Sequence, residues 1–139
     1  MDMDKRHAKC LCSAVEFDVD KSCVEVSSCH CNMCRNWSGA PMMSIHAQGD
    51  INFFGEENIG IYQSSDWAER GFCKICGTSL FYRIDGPQYY IPVGLFADQT
   101  GFTMKSQIFI DEKPEFYDFA NETPKLTGKE VFDLYVKED

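Results

Sequence analysis

Apolar and polar residues alternate in short runs along most of this chain, and helical spacing is scarce, so the pattern predicts a mainly β protein. Residues 14–19 read as a strand with Val15, Phe17 and Val19 on one face. Residues 23–28, Met42–Ala47 and 51–54 read as further strands, with Gln48-Gly49-Asp50 as the turn before the last of these. Ile59–Gln63 follows Gly55 and an acidic turn. Residues 68–72 and 79–83 flank a cysteine pair like the arms of a hairpin. Asp85-Gly86-Pro87 forms a turn, and residues 89–93 make another strand, with Pro92 at an edge or at its end. Residues 106–110 read as a late strand. Helices are expected only at residues 31–37, ending near Ser38-Gly39, and at residues 127–133, where Thr127 and Glu130 have capping-box spacing.

The 139 residues suit a single domain, 1–139, with no repeat, low-complexity tract or linker. No apolar run approaches the ~20 residues that a membrane span needs. The charged start, residues 1–10, lacks the apolar segment of a signal peptide, which predicts a cytoplasmic protein without a membrane partner. The net charge of −9 repels phosphate and disfavours nucleic acid as a partner. Oligomeric state leaves no mark in the sequence.

Eight cysteines change the picture. In a reducing compartment such a count points to metal binding or catalysis rather than to disulfides. Cys10-Leu11-Cys12 and Cys73-Lys74-Ile75-Cys76-Gly77 each supply two thiols; together they supply the four that a structural zinc requires. Gly77 allows the close turn of a metal knuckle. The plain alternatives are buried cysteines acting as small apolar side chains, or a redox pair lacking its βαβ setting.

Cys29-His30-Cys31-Asn32-Met33-Cys34 packs three thiols into six residues. Three ligands leave one metal position open, as in catalytic zinc sites; an inert site completed by water or a distant residue is the competing reading. His30 is expected to point away from its neighbours' sulfurs and to hydrogen-bond nearby. Arg35 is the nearest candidate for a substrate carboxylate, with a surface or structural ion pair as its ordinary role. Thr78, Phe54, Trp67 and Phe96 are candidate pocket residues. Cys23 reads as a buried free thiol, and His7 and His46 as ordinary histidines.

The three cysteine motifs, with Arg35, Ser38-Gly39-Ala40-Pro41 and Gly71-Phe72 before Cys73, resemble the glutathione-dependent formaldehyde-activating family, also called the centromere protein V/GFA domain family, over roughly residues 7–120. That resemblance implies an Mss4-like fold of small antiparallel sheets around zinc-binding cysteine sites. It also implies a structural Zn2+ on Cys10, Cys12, Cys73 and Cys76. A second, more labile zinc, which the isolated protein need not retain, falls on Cys29, Cys31 and Cys34 as the catalytic group. The implied activity is that of a carbon–sulfur lyase acting on a thiol adduct, such as glutathione plus formaldehyde giving S-hydroxymethylglutathione, with a small-molecule thiol as partner. Ala8 and Ser13 stand where the family often has glycine, and Asn36 where it commonly has lysine. The missing lysine counts against an anionic thiol such as glutathione. Two other functions fit the same cysteines: a non-catalytic zinc-binding interaction module, and a thiol/zinc redox sensor.

Overall fold

The computed structural model describes residues 4–47, 50–84 and 88–137, so the turns expected at Gln48-Gly49 and Asp85-Gly86-Pro87 lie outside the described residues. In chain order the strands are β1 (Lys5–Lys9), β2 (Glu16–Asp20), β3 (Glu25–Cys29), β4 (Met42–Ala47), β5 (Phe53–Phe54), β6 (Ile59–Gln63), β7 (Ala68–Cys73), β8 (Ser79–Ile84), β9 (Gln88–Pro92), β10 (Thr103–Ile108) and β11 (Lys125–Leu126). Among the described residues there are also two helices, α1 (Asn32–Ser38) and α2 (Gly128–Lys137), and three single 3-10 turns. The chain groups into two compact units: Met1–Val24 with Ser44–Phe102, and Glu25–Met43 with Thr103–Asp139.

In the first unit, β2 lies between β1 and β5, all antiparallel. A second antiparallel array runs β4-β9-β8-β7-β6. The alternation of β2 does what its sequence requires: Val15, Phe17 and Val19 are all buried. Phe53 of β5 bridges the two sheets, its ring 5.0 Å from Phe17, 5.6 Å from Phe81 and 5.8 Å from Tyr89. Pro92 is the last residue of β9, a strand paired on both sides, so it ends the strand rather than marking an edge.

Strand β1 was not anticipated. Its inward positions are Arg6 and Ala8, so no apolar alternation announces it. Arg6 is buried because its guanidinium donates to the carbonyls of Asp98 at 2.7 Å and Thr100 at 2.9 Å and stacks 4.5 Å from the Phe102 ring.

In the second unit, β10 lies between β3 and β11 and pairs with both in parallel. This departs from the expected antiparallel pairing. The reason is connectivity: long segments separate these strands, so no tight hairpin turn dictates their direction. Helix α2 starts as its sequence predicts. The Thr127 hydroxyl accepts from Glu130 N–H at 3.2 Å, and the Glu130 carboxylate accepts from Thr127 N–H at 2.9 Å.

Candidate metal centres

The first cysteine cluster lies within the first unit. Cys10 follows β1, Cys73 closes β7, and both are fully buried. Backbone geometry presents their sulfurs. Val15 N–H donates to Cys10 Sγ at 3.3 Å, and Ser13 N–H donates to Cys10 O at 3.1 Å. Ser13 keeps a left-handed φ of 69°, a conformation that glycine adopts more easily. On the other knuckle Gly77, at φ 82°, donates its N–H to Cys73 O at 2.8 Å, the close turn expected there. Thr78 braces both knuckles: its hydroxyl accepts from Leu11 N–H at 3.2 Å and lies 3.0 Å from Cys76 Sγ. That Thr78 contact, first among several hydrogen bonds, pulls the Cys76 thiol down to about 5.

The spacing of the sulfurs is diagnostic. Cys12 Sγ lies 3.7 Å from Cys10 Sγ and 3.8 Å from Cys73 Sγ, and all four sulfurs lie within 4.8 Å of one another. A disulfide would draw two of them to about 2 Å. Four thiolates at about 2.3 Å from a tetrahedral zinc stand about 3.8 Å apart. The cluster therefore fits a four-thiolate metal site.

The second cluster lies within the second unit, where Cys29, Cys31 and Cys34 hold their sulfurs within 4.8 Å of one another. Cys29 is the last residue of β3, Cys31 is the N-cap of α1, and Cys34 is buried in its first turn. Cys31 Sγ accepts from Cys34 N–H at 3.3 Å. Hydrogen bonds from Cys29 and Cys34, aided by backbone N–H groups, drive the Cys31 thiol far down. The reciprocal bonds, to Cys31 above all, drive Cys29 up. Among the described residues no histidine or carboxylate joins these three sulfurs as a fourth donor.

His30 points away from the sulfurs, as expected, and is fully buried. Its Nε2 lies 2.9 Å from Gln107 Oε1, and its Nδ1 lies 2.8 Å from the Tyr117 hydroxyl. Arg35 ties the same loop together: Nε donates to His30 O at 2.9 Å, and Nη2 donates to Asn32 Oδ1 and, at 3.2 Å, to Glu112 O. Glu112 also accepts from Asn32 N–H at 2.8 Å. Lys113 fastens the following segment, donating to the carbonyls of Pro114 and Tyr117, pairing with Asp118 at 2.9 Å and lying 4.8 Å over the Tyr117 ring.

Gln107, Glu112, Lys113 and Tyr117 were all missed by sequence reasoning. Gln107, Glu112 and Tyr117 lie 77 or more positions from their loop partners, and the one available signal was that a histidine wedged between two ligand cysteines must find partners elsewhere. The other candidates fall in the first unit. Phe96 is core, Phe54 and Trp67 are exposed, and Thr78 serves the first cluster. Cys23 is buried, His46 stacks 4.6 Å from Tyr90, and His7 is less ordinary than expected, with Glu16 and Asp18 on its two nitrogens.

The model of the glutathione-dependent formaldehyde-activating enzyme family matches residues 5–112. An uncharacterized lyase of Schizosaccharomyces pombe is 37% identical over 137 residues, covering 97% of this chain and all of that protein. A crystal structure of a Rhodobacter sphaeroides protein, 21% identical, superposes with a TM-score of 0.56 over 86% of this chain and 98% of its own, a likeness of fold.

Proposed function

The chain belongs to the glutathione-dependent formaldehyde-activating family, and on that footing we propose that it is a zinc-dependent carbon–sulfur lyase acting on the adduct of a small thiol and an aldehyde. Glutathione and formaldehyde, giving S-hydroxymethylglutathione, are the reference pair. The observation that carries the reading is the Cys29, Cys31 and Cys34 loop, which offers three thiolates and leaves one position of a tetrahedron open. Cys10, Cys12, Cys73 and Cys76 close the other site and serve structure alone.

Zinc at the open site would supply a positive centre that deprotonates a coordinating thiol. The remaining work falls to the chain. Cys29, Cys31 and Cys34 would hold that zinc beside the substrate; the substrate sulfur's lone pair attacks the aldehyde carbon, a carbon–sulfur bond forms as the carbonyl π bond breaks, and the carbonyl oxygen takes up the proton that the thiol gave up, becoming a hydroxyl. The reverse breaks that bond and returns thiol and aldehyde. Three thiolates leave such a zinc with a net negative charge, which favours a nucleophilic sulfur over polarisation of the carbonyl. Arg35 holds the loop through Nε and Nη2 and lends its charge to a substrate carboxylate.

The test is zinc per chain by elemental analysis, with coordination followed by X-ray absorption before and after adding glutathione. Two zincs, one of which changes its ligands with thiol, support the reading. Two zincs indifferent to thiol would favour an interaction module, and loss of the second metal on mild peroxide, without thiol binding, a sensor. Replacing Cys34 with Ala should abolish adduct turnover while the first zinc stays.

A further inference from the structure

Strand β6 ends its sheet: it pairs with β7 on one side, and no described strand pairs with the other. Lys74 N–H donates to Asn58 O at 2.8 Å, one step beyond the Ile59–Cys73 pair. Antiparallel hydrogen bonds recur at every second residue, so the peptide groups of Gly60 and Tyr62 face β7. Those of Ile59, Ile61 and Gln63 therefore point away from it, along an open edge. Such an edge templates pairing with another chain unless charge, proline, a bulge or shortness blunts it. The other edges described are blunted. β1 turns Lys5, His7 and Lys9 outward, and β5 and β11 have two residues each.

β6 has none of these guards. Ile59-Gly60-Ile61-Tyr62-Gln63 carries no charge and no proline, and its register with β7 is unbroken. Ile61 is 44% exposed and Tyr62 56% exposed, on opposite faces of the strand. The Phe72 ring lies across Gly60. An aromatic side chain brought opposite Gly60 from outside would fill the place where glycine has none and meet that ring. β6 holds such a side chain two positions on, at Tyr62. The strand is thus its own complement. Turned antiparallel, with Ile61 opposite Ile61 of a second copy, it sets Gly60 opposite Tyr62 and Ile59 opposite Gln63. In this register the outward peptide groups meet. The two Ile61 residues exchange both N–H···O bonds, and so do Ile59 and Gln63 on either side.

We infer that β6 is an interface at which two copies of this chain join their sheets, edge to edge, with Ile61 on the two-fold axis. A second copy is the occupant because the spacing of Gly60 and Tyr62 complements itself. Charge points the same way: each chain carries −9, so two copies approach at least cost along an uncharged edge. The same strand serves both copies, so the pairing closes at two. Glu56 and Glu57, before the strand, come towards Asp66, after the strand of the second copy, and salt relieves that repulsion. The interface does not depend on the lyase reading.

The test is analytical ultracentrifugation of the full zinc-loaded chain over a concentration series up to about 1 mM, with amide hydrogen exchange followed by NMR at its two ends. The mass should rise from one chain to two and go no further. Over the same range the amides of Ile59, Ile61 and Gln63 should gain protection, while those of Gly60 and Tyr62, already bonded to β7, should change little. Ile61→Lys sets two ammonium groups opposite each other at an exposed position. It should weaken association at least about tenfold and leave the zinc content unchanged. Raising salt to about 0.5 M should strengthen association of the wild type. A single-chain mass throughout, which would leave the edge to a strand from another protein, overturns the inference. So does growth beyond two, protection at another strand, association that salt weakens, or association that Ile61→Lys leaves intact. Should Ile61→Lys fail to retain zinc, the mass series and the exchange pattern of the wild type still decide.

Discussion

Two glycines in neighbouring strands face the same local crowding but should respond differently to alanine. Gly71 of β7 pairs with Phe81 of β8, whose ring lies across it; a Cβ there would meet Phe81 Cζ at 2.3 Å. Gly60 of β6 pairs with Phe72 of β7, and its Cβ would meet Phe72 Cζ at 2.4 Å. Neither distance is tolerable, so a ring must move. Phe81 is 1% exposed and wedged against Phe53 at 5.6 Å and Tyr89 at 5.1 Å, so its displacement disrupts the core that joins the two sheets. Phe72 is only half-buried, so shifting its ring disturbs less of the packed core. Overpacking of a filled core costs about 1–3 kcal/mol. Replacing a strand glycine returns about 0.5–1 kcal/mol of backbone entropy. Gly71→Ala should therefore lose about 1–2 kcal/mol net, whereas Gly60→Ala should fall within about 0.5 kcal/mol of wild type. Urea unfolding of the zinc-saturated variants, read as midpoint shifts at constant slope, measures both. Equal losses, or a Gly71→Ala protein as stable as wild type, would refute the argument that burial of the displaced ring decides the cost.

Other outcomes follow from the same structure. The His7 ring is held between Asp18 at 2.9 Å and Glu16 at 2.8 Å, and the Asp18 bond, then the Glu16 bond, raise its pKa. A raised histidine stabilises the fold below its unfolded value of about 6.5, and that contribution is lost as pH climbs through the higher folded value. The stability difference between wild type and His7→Gln should accordingly shrink from pH 6 to pH 8, and a constant difference would discount the clamp. Thr127→Ala breaks the reciprocal cap of α2 and should cost about 1 kcal/mol, read by thermal unfolding with circular dichroism. Cys12→Ala should remove one zinc per chain and lower the unfolding midpoint, while Cys34→Ala should remove one zinc with little change in midpoint.

Much of this was legible in the residues because it is local. The two cysteine clusters, the αL glycine after Cys76, the alternation of β2 and the capping box of α2 are each contained in a few consecutive positions. β1 was hidden because a buried arginine occupies a place where an apolar residue would have shown the strand. The parallel pairing of β3, β10 and β11 was hidden because parallel neighbours are far apart in the chain and share no turn. The surroundings of His30 were hidden for a related reason. Gln107 and Tyr117 look like ordinary polar and aromatic residues until β10 and the segment after it bring them to the ring.

The two cysteine clusters present the same chemistry yet span the chain very differently. Cys29, Cys31 and Cys34 are near neighbours, so a metal there restricts almost nothing that the backbone and Arg35 do not already restrict. Cys12 and Cys73 are separated by 61 positions. A metal that joins them closes a long loop in the unfolded chain, as a disulfide would, which corresponds to about 4 kcal/mol of chain entropy. An ion bound at the first cluster would thus act as a covalent-like fastener, and its removal would loosen the first unit. An ion at the second cluster could come and go while the loop that holds it keeps its shape, as the proposed exchange with an incoming thiol would require.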